Sequence, residues 1–197
     1  VPQCPTVWMD DGVEQLGRSN QSIYVEPLKA LIDKFIAQHK DLIDENRIYI
    51  GGLSNGGFMT VRMLLDYPDF FAGAIAVCTP FFAENITEQV VQALKKIPLW
   101  LVHCKKDSIV LPMETAIPLY HKLKEAGAEN VHFTLFDRVI DLSGRYKDPD
   151  GKPHESFGHG VWIHAYNDDC ILDWDGARVL ADGIPVSMWE WLGCQSK

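Results

Sequence analysis

The sequence predicts an α/β architecture, a mostly parallel sheet flanked by helices, and three features carry that prediction. Residues 73–78, 98–104 and 131–136 are continuous apolar-rich runs of strand length, the pattern of strands buried on both faces. Stretches with helical periodicity separate them, as in βα units. A short β-rich run at 47–50 meets a glycine-rich turn that opens directly into a further helical stretch.

The elements follow in order. Residues 6–24 read as a loop broken by Gly12, Gly17 and Asn20. Residues 25–41 read as a helix, because Leu28, Leu31, Ile32, Phe35 and Ile36 share one face, and Pro27 suits its first turn. A helix over 56–66 follows the 47–50 strand and stops before Pro68. Helices are expected at 87–96, with Thr87 as N-cap, and at 113–126, ended by Gly127. The pattern then breaks, and 137–170 reads as one long loop with a strong turn signal at Asp148-Pro149-Asp150-Gly151. Ser187 and Glu190 form a capping box that opens a closing helix. One domain spanning 1–197 is the expectation.

Composition limits the partners. The chain has 197 residues, with 27 acidic against 18 basic side chains, for a formal charge of −9. Such a surface repels phosphate backbones and anionic lipid, so neither nucleic acid nor membrane is expected as a partner. Five cysteines without a CxxC fit neither a disulfide framework nor a zinc finger, and reduced thiols in a cytoplasmic setting are expected. Asn85-Ile86-Thr87 is a glycosylation sequon, a triplet common by chance. The sequence starts without an initiator Met or a signal peptide, which points to a missing upstream segment.

The sharpest chemical signal is Gly52-Leu53-Ser54-Asn55-Gly56, followed by Gly57. It fits G-x-S-x-G between a strand and a helix. That turn lifts a serine Oγ clear of the backbone, and flanking glycines remove side chains that would collide. The helix N-terminus adds positive potential where an oxyanion develops, and the Asn55 N–H is an expected oxyanion donor. A serine nucleophile needs a histidine base and an acid, here in the chain order Ser, acid, His. Asp107, just past the 98–104 run, is the first candidate acid, with Asp137 and Asp141 as alternatives. His159, between Gly158 and Gly160, is the first candidate base, with His154 and His164 as alternatives. Trp8, Trp162 and Tyr166 are candidates to line a substrate pocket. Trp162 and Tyr166 are also expected to anchor the His159 segment, leaving 144–153 exposed over the active-site mouth. The Asp148–Gly151 stretch lacks the full spacing of a calcium loop, and neither metal nor cofactor is expected.

GLSNGG, PLWLVHCKKDSIV and GHGVWIHAYND resemble the nucleophile, acid and histidine segments of α/β-hydrolases. More closely, the chain resembles the predicted-peptidase and esterase group related to prolyl oligopeptidase and polyhydroxybutyrate depolymerase-like esterases. Pro2-Gln3-Cys4-Pro5 matches the A-P-Q-C-P start frequent there, and Gly158, His159, Trp162, Ala165 and Tyr166 match its histidine segment. The resemblance implies Ser54 as nucleophile, Asp107 as acid and His159 as base. Its implied activity is a serine hydrolase acting on a small-molecule ester, or on a peptide, through an acyl-Ser54 intermediate. The departure from that group is upstream. No H-G-x-G loop precedes Ser54, so the chain reads as the C-terminal portion of the full fold, short of its N-terminal strands. Losing one oxyanion donor costs about 3 kcal/mol, so a catalytically weak binding fragment is the third reading.

Overall fold

A computed structural model describes residues 1–10 and 18–197. Gly12 and Gly17, expected as loop breakers, lie outside the described residues. Four strands make the main sheet, in the order β1 (Tyr49–Leu53), β2 (Gly73–Val77), β3 (Leu99–Cys104) and β4 (Val131–Phe136). All three pairings are parallel. Every residue of β2 and β3 is buried, as their unbroken apolar runs predict.

Alternate residues of these strands feed two cores. Ala74, Ala76, Leu99, Leu101, Val131 and Phe133 face a layer built by α1 (Val25–Gln38), α2 (Asn55–Asp66), α3 (Glu88–Leu94) and α4 (Ala116–Glu125). Ile75, Val77, Trp100, Val102 and Cys104 face the C-terminal part of the chain. The period of two along each strand sends successive side chains to opposite layers. Thr87 accepts from the Val90 N–H to cap α3. Thr87 therefore has a helix-capping role, and Asn85 Nδ2 donates to the Arg18 carbonyl, so both polar ends of the sequon are engaged in the fold.

Three expectations need correction. The apolar face of α1 is only partly covered, with Leu31 and Phe35 more than half exposed, Ile32 and Ile36 partly buried and only Val25 and Leu28 buried. The periodicity was correct for a helix, but α1 lies beside the outer strand β1, where the sheet offers it little to cover. The helix expected at 113–126 is a 3₁₀ turn at Pro112–Glu114 and then α4. The long loop at 137–170 is largely structured. Val139–Ile140 (β5) pairs antiparallel with Glu155–Ser156 (β6), and a 3₁₀ turn at Gly158–Val161 leads into α5 (Trp162–Tyr166). Those strands are two residues long, too short for a periodicity to declare them. A second small hairpin joins β7 (Leu180–Ala181) to β8 (Ile184–Pro185). The capping box at Ser187 and Glu190 then opens α6 (Met188–Gly193). Among the described residues, no helix is long and apolar enough to cross a membrane.

The two outer strands end differently. Among the described residues, β4 pairs only with β3 in the sheet, but the segment around Asp173 covers it. Asp173 Oδ1 accepts the Phe133 N–H at 2.9 Å, and Thr134 Oγ1 donates to the Leu172 carbonyl at 2.7 Å. Among the described residues, β1 pairs only with β2. Apolar cavities of about 490 and 460 Å³ run along β1, both lined by its residues 49–53.

Trp100 is fully buried, donates its Nε1–H to Thr134 Oγ1 at 2.9 Å and packs edge-on against Trp191. Trp100→Ala should therefore destabilise the fold by about 3–5 kcal/mol in chemical denaturation. Leu31→Ala, on the exposed face of α1, should stay within about 0.5 kcal/mol of the parent. Comparable losses at both positions would contradict this assignment of the core.

Candidate active site

Ser54 sits at the junction of β1 and α2 with φ at 52°. A β-carbon in this left-handed region carries strain, so the surrounding structure must hold it there. The Ser54 N–H donates to the Val77 carbonyl at 2.8 Å, and the Ser54 carbonyl accepts from Phe58 N–H as α2 begins. Gly52 is required for a packing reason. A Cβ there would lie 2.3 Å from the Gly56 carbonyl oxygen, across the turn. Asn55 opens α2, where a backbone N–H has no helical partner, and its side-chain oxygen accepts from the Trp8 N–H.

Asp107 and His159 reach this serine from the C-terminal ends of the sheet. His159 Nε2 lies 2.9 Å from Ser54 Oγ, and His159 Nδ1 lies 2.8 Å from Asp107 Oδ2. Facing a carboxylate, Nδ1 carries the proton, which leaves Nε2 to accept from the hydroxyl. Both partners are buried, at 2% exposure for Asp107 and 8% for His159. Burial alone would push the Asp107 carboxyl up. Hydrogen bonds from His103, His159 and the N–H groups of Val110 and Ile109 more than offset it, holding the group well below the usual carboxylate range.

Gly158 explains how His159 gets there. A Cβ on Gly158 would meet the Lys106 carbonyl carbon and oxygen at 2.3 Å and the Asp107 nitrogen at 2.5 Å. The 158 backbone therefore lies flat on the acid loop, delivering the next side chain to Asp107. The sequence showed this glycine only as a flexible neighbour of the histidine. The rest of the segment is held by Val161, His164 and Ala165, all buried. His164 stacks on Phe136 at 4.3 Å and its Nδ1 bonds Asp169 at 2.8 Å. Tyr166, expected as an anchor, is instead 67% exposed, because α5 turns that face outwards. Trp162 is half-buried and meets the His159 ring edge-on at 6.0 Å.

The alternative candidates lie elsewhere. His154 is exposed and bonds Asp148. Asp137 pairs with Lys105 in solvent, and Asp141 accepts from Ser143 and Tyr146 within its own turn. Trp162 and Tyr166 line the larger cavity beside β1, Trp8 and Tyr166 the smaller, and Ser54 lines neither. The 144–153 stretch is the exposed tip beyond β5 and β6 and lines neither of these cavities. All five cysteines are unpaired. Cys78 lies beneath the site, with its Sγ 3.8 Å from the His159 carbonyl, and burial pushes its thiol up to about 12. Its sulfur and the ligand atoms of Asp107 and His159, themselves hydrogen-bonded to each other, lie within 4.8 Å of one another.

Two outcomes follow for this geometry. Gly158→Ala forces the histidine segment off the acid loop and should lower any Ser54-dependent hydrolysis by about a hundredfold, with less effect on Tm. Unchanged activity there would refute the close approach. The Asp107 carboxyl is depressed in the folded state, so its stabilisation is present above its unfolded value near 4 and disappears as pH falls below it. The Tm gap between the parent and Asp107→Asn should stay constant from about pH 7 to 5 and narrow below about pH 4.

Comparison with known proteins bears on the fold and the family. The model of the phospholipase/carboxylesterase family matches residues 9–141, which include Ser54 and Asp107 but end before His159. Carboxylesterase SOBER1 of Arabidopsis thaliana is 36% identical over 107 residues, covering 52% of this chain and 44% of its own. Poly(3-hydroxyalkanoate) depolymerase C of Paucimonas lemoignei is 46% identical over 50 residues, 25% of this chain and 12% of its own. The chain thus spans less than half the length of these curated relatives. Among solved structures, a thermostable esterase aligns over 100% of this chain and 43% of its own, at 29% identity and a TM-score of 0.65. An acylaminoacyl peptidase, at 19% identity and a TM-score of 0.52, shares the fold. With its parallel sheet, its strand-to-helix serine turn and a family match over residues 9–141, this chain belongs to the phospholipase/carboxylesterase family of α/β-hydrolases.

Proposed function

We propose that this chain cleaves carboxylic esters as a serine hydrolase, with Ser54 as nucleophile, His159 as general base and Asp107 as the acid that orients it. The observation that carries the reading is the continuous hydrogen-bond line from Ser54 Oγ through His159 to Asp107 Oδ2, at 2.9 and 2.8 Å. His159 Nε2 takes the Ser54 proton as Oγ attacks the ester carbonyl. The oxyanion that forms meets the Asn55 N–H at the positive end of α2. His159 then protonates the departing alkoxide, leaving an acyl-Ser54 ester. Water, deprotonated by the same nitrogen, releases the carboxylic acid. Asp107 stays ionised throughout and stabilises the transient imidazolium. The carboxylesterase and depolymerase names among the relatives support an ester over a peptide bond as the target. On this reading Trp162 and Tyr166 contact an apolar acyl group in the cavity beside β1, which Leu53, next to Ser54, also lines.

Ser54→Ala should lower hydrolysis of a small activated aryl ester by about 10⁴-fold or more without unfolding the chain. A fluorophosphonate probe should label the parent on Ser54 and leave the variant unlabelled. Near-parental activity in the variant would overturn the assignment, and an unlabelled parent would favour the weak binding fragment.

A further inference from the structure

We propose that His103 is a positioning residue for Asp107, and through it for His159. This rests on the reading of Ser54, His159 and Asp107 given above. His103 is the penultimate residue of β3, within its apolar run, and is fully buried. Its Nε2 is 2.9 Å from the Val110 carbonyl oxygen and 3.1 Å from Asp107 Oδ2. A carbonyl and a carboxylate can only accept here, so Nε2 carries the proton and shares it between them. The other ring nitrogen, Nδ1, is buried with no hydrogen-bond partner among the described residues. An orphaned buried acceptor works against stability, and an apolar side chain of similar size would remove it. The packing of β3 therefore gives no reason for an imidazole at this position. Its N–H does.

That N–H falls on Oδ2, the same oxygen that accepts the proton of His159 Nδ1. The other oxygen, Oδ1, accepts the N–H groups of Ile109 and Val110, each at 2.9 Å. His103 also holds the Val110 carbonyl, so it closes a ring of contacts through residue 110 and back to the carboxylate. The Asp107 carboxylate is thus pinned on both oxygens by its own side of the molecule before His159 is counted. Without the His103 contact, the rotation that sets Oδ2 would be restrained there by His159 alone, and the histidine would lose the fixed partner that orients its ring.

His103→Gln places an amide N–H close to the original Nε2, whereas His103→Asn is one bond shorter and withdraws it. The parent, both variants, and both in the Asp107→Asn background should be assayed on a small activated ester, with Tm recorded for each. The Gln variant should retain kcat within about threefold, and the Asn variant should lose about tenfold or more, with KM near the parental value in both. In the Asp107→Asn background the difference between the two should vanish, because there is no carboxylate left to position. Equal kcat for the two variants, a difference that persists without Asp107, or a folded Gln variant that loses activity as the Asn variant does would each overturn the proposal. If the Asn variant does not fold, the Gln variant decides alone through its retained kcat. If neither folds, His103 serves packing and the proposal fails. Should Ser54→Ala keep the parental activity, it is the reading of the site that has failed, which these outcomes cannot mimic.

Discussion

A buried carboxylate has to be met by donors, and in this molecule the demand of Asp107 organises three pieces of chain. A desolvated charge costs several kcal/mol unless it is hydrogen-bonded on most of its lone pairs. Oδ1 takes two backbone N–H groups from the loop that follows it, which folds that loop tightly around the side chain. Oδ2 takes one imidazole from β3, four residues earlier, and a second from a segment 52 residues later. Long-range order at the site therefore starts from an electrostatic requirement at one residue. The depressed carboxyl is its thermodynamic trace, since the donors stabilise the ionised form by more than burial opposes it.

Satisfying that requirement needs the two chain segments to touch at backbone distance, which is why the glycines matter more than their flexibility suggests. Gly158 lets the histidine segment lie on the Lys106 carbonyl, and Gly52 lets the serine turn fold over Gly56. Both are close-approach glycines with ordinary negative φ, and neither is needed for a left-handed conformation. Ser54 itself takes the left-handed conformation, two residues after Gly52, where strain is held by the Val77 carbonyl on one side and the first turn of α2 on the other.

The sequence made the local features legible and left the long-range ones obscure. Buried strands announce themselves as apolar runs, and β2 and β3 fall within a residue of the predicted spans. The serine turn is equally legible, because strand, glycines and helix are contiguous. What periodicity cannot report is what a face is packed against. The stripe on α1 looks like a core face but lies half in water beside the outermost strand, and Tyr166 looks like an anchor but points outwards from α5. His103 shows the same limit from the other side. In the sequence it is one histidine inside a strand, and its contact with Asp107 appears only when the loop folds back over the strand end. The hairpin within 137–170 was hidden because two-residue strands carry no period, and their pairing is fixed by the loop between them.

The asymmetry of the two sheet edges bears on how independent the site is. Exposed edge strands are commonly covered or blunted, and β4 follows the rule, with Asp173 accepting one of its N–H groups. Among the described residues, β1 has no neighbour beyond it in the sheet, and it is flanked by apolar cavities on both faces. Yet the contacts that fix Ser54, His159 and Asp107 come from the other direction. The Ser54 N–H is held by β2, the acid by β3 and its loop, and the histidine by a segment packed on β3, β4 and the acid loop. The larger cavity beside β1 is nevertheless walled in part by Ile75 and Val77 of β2 and by Trp162 and Ala165 of the segment that carries His159, so the elements that hold the hydrogen-bond line from Ser54 to Asp107 also wall that cavity.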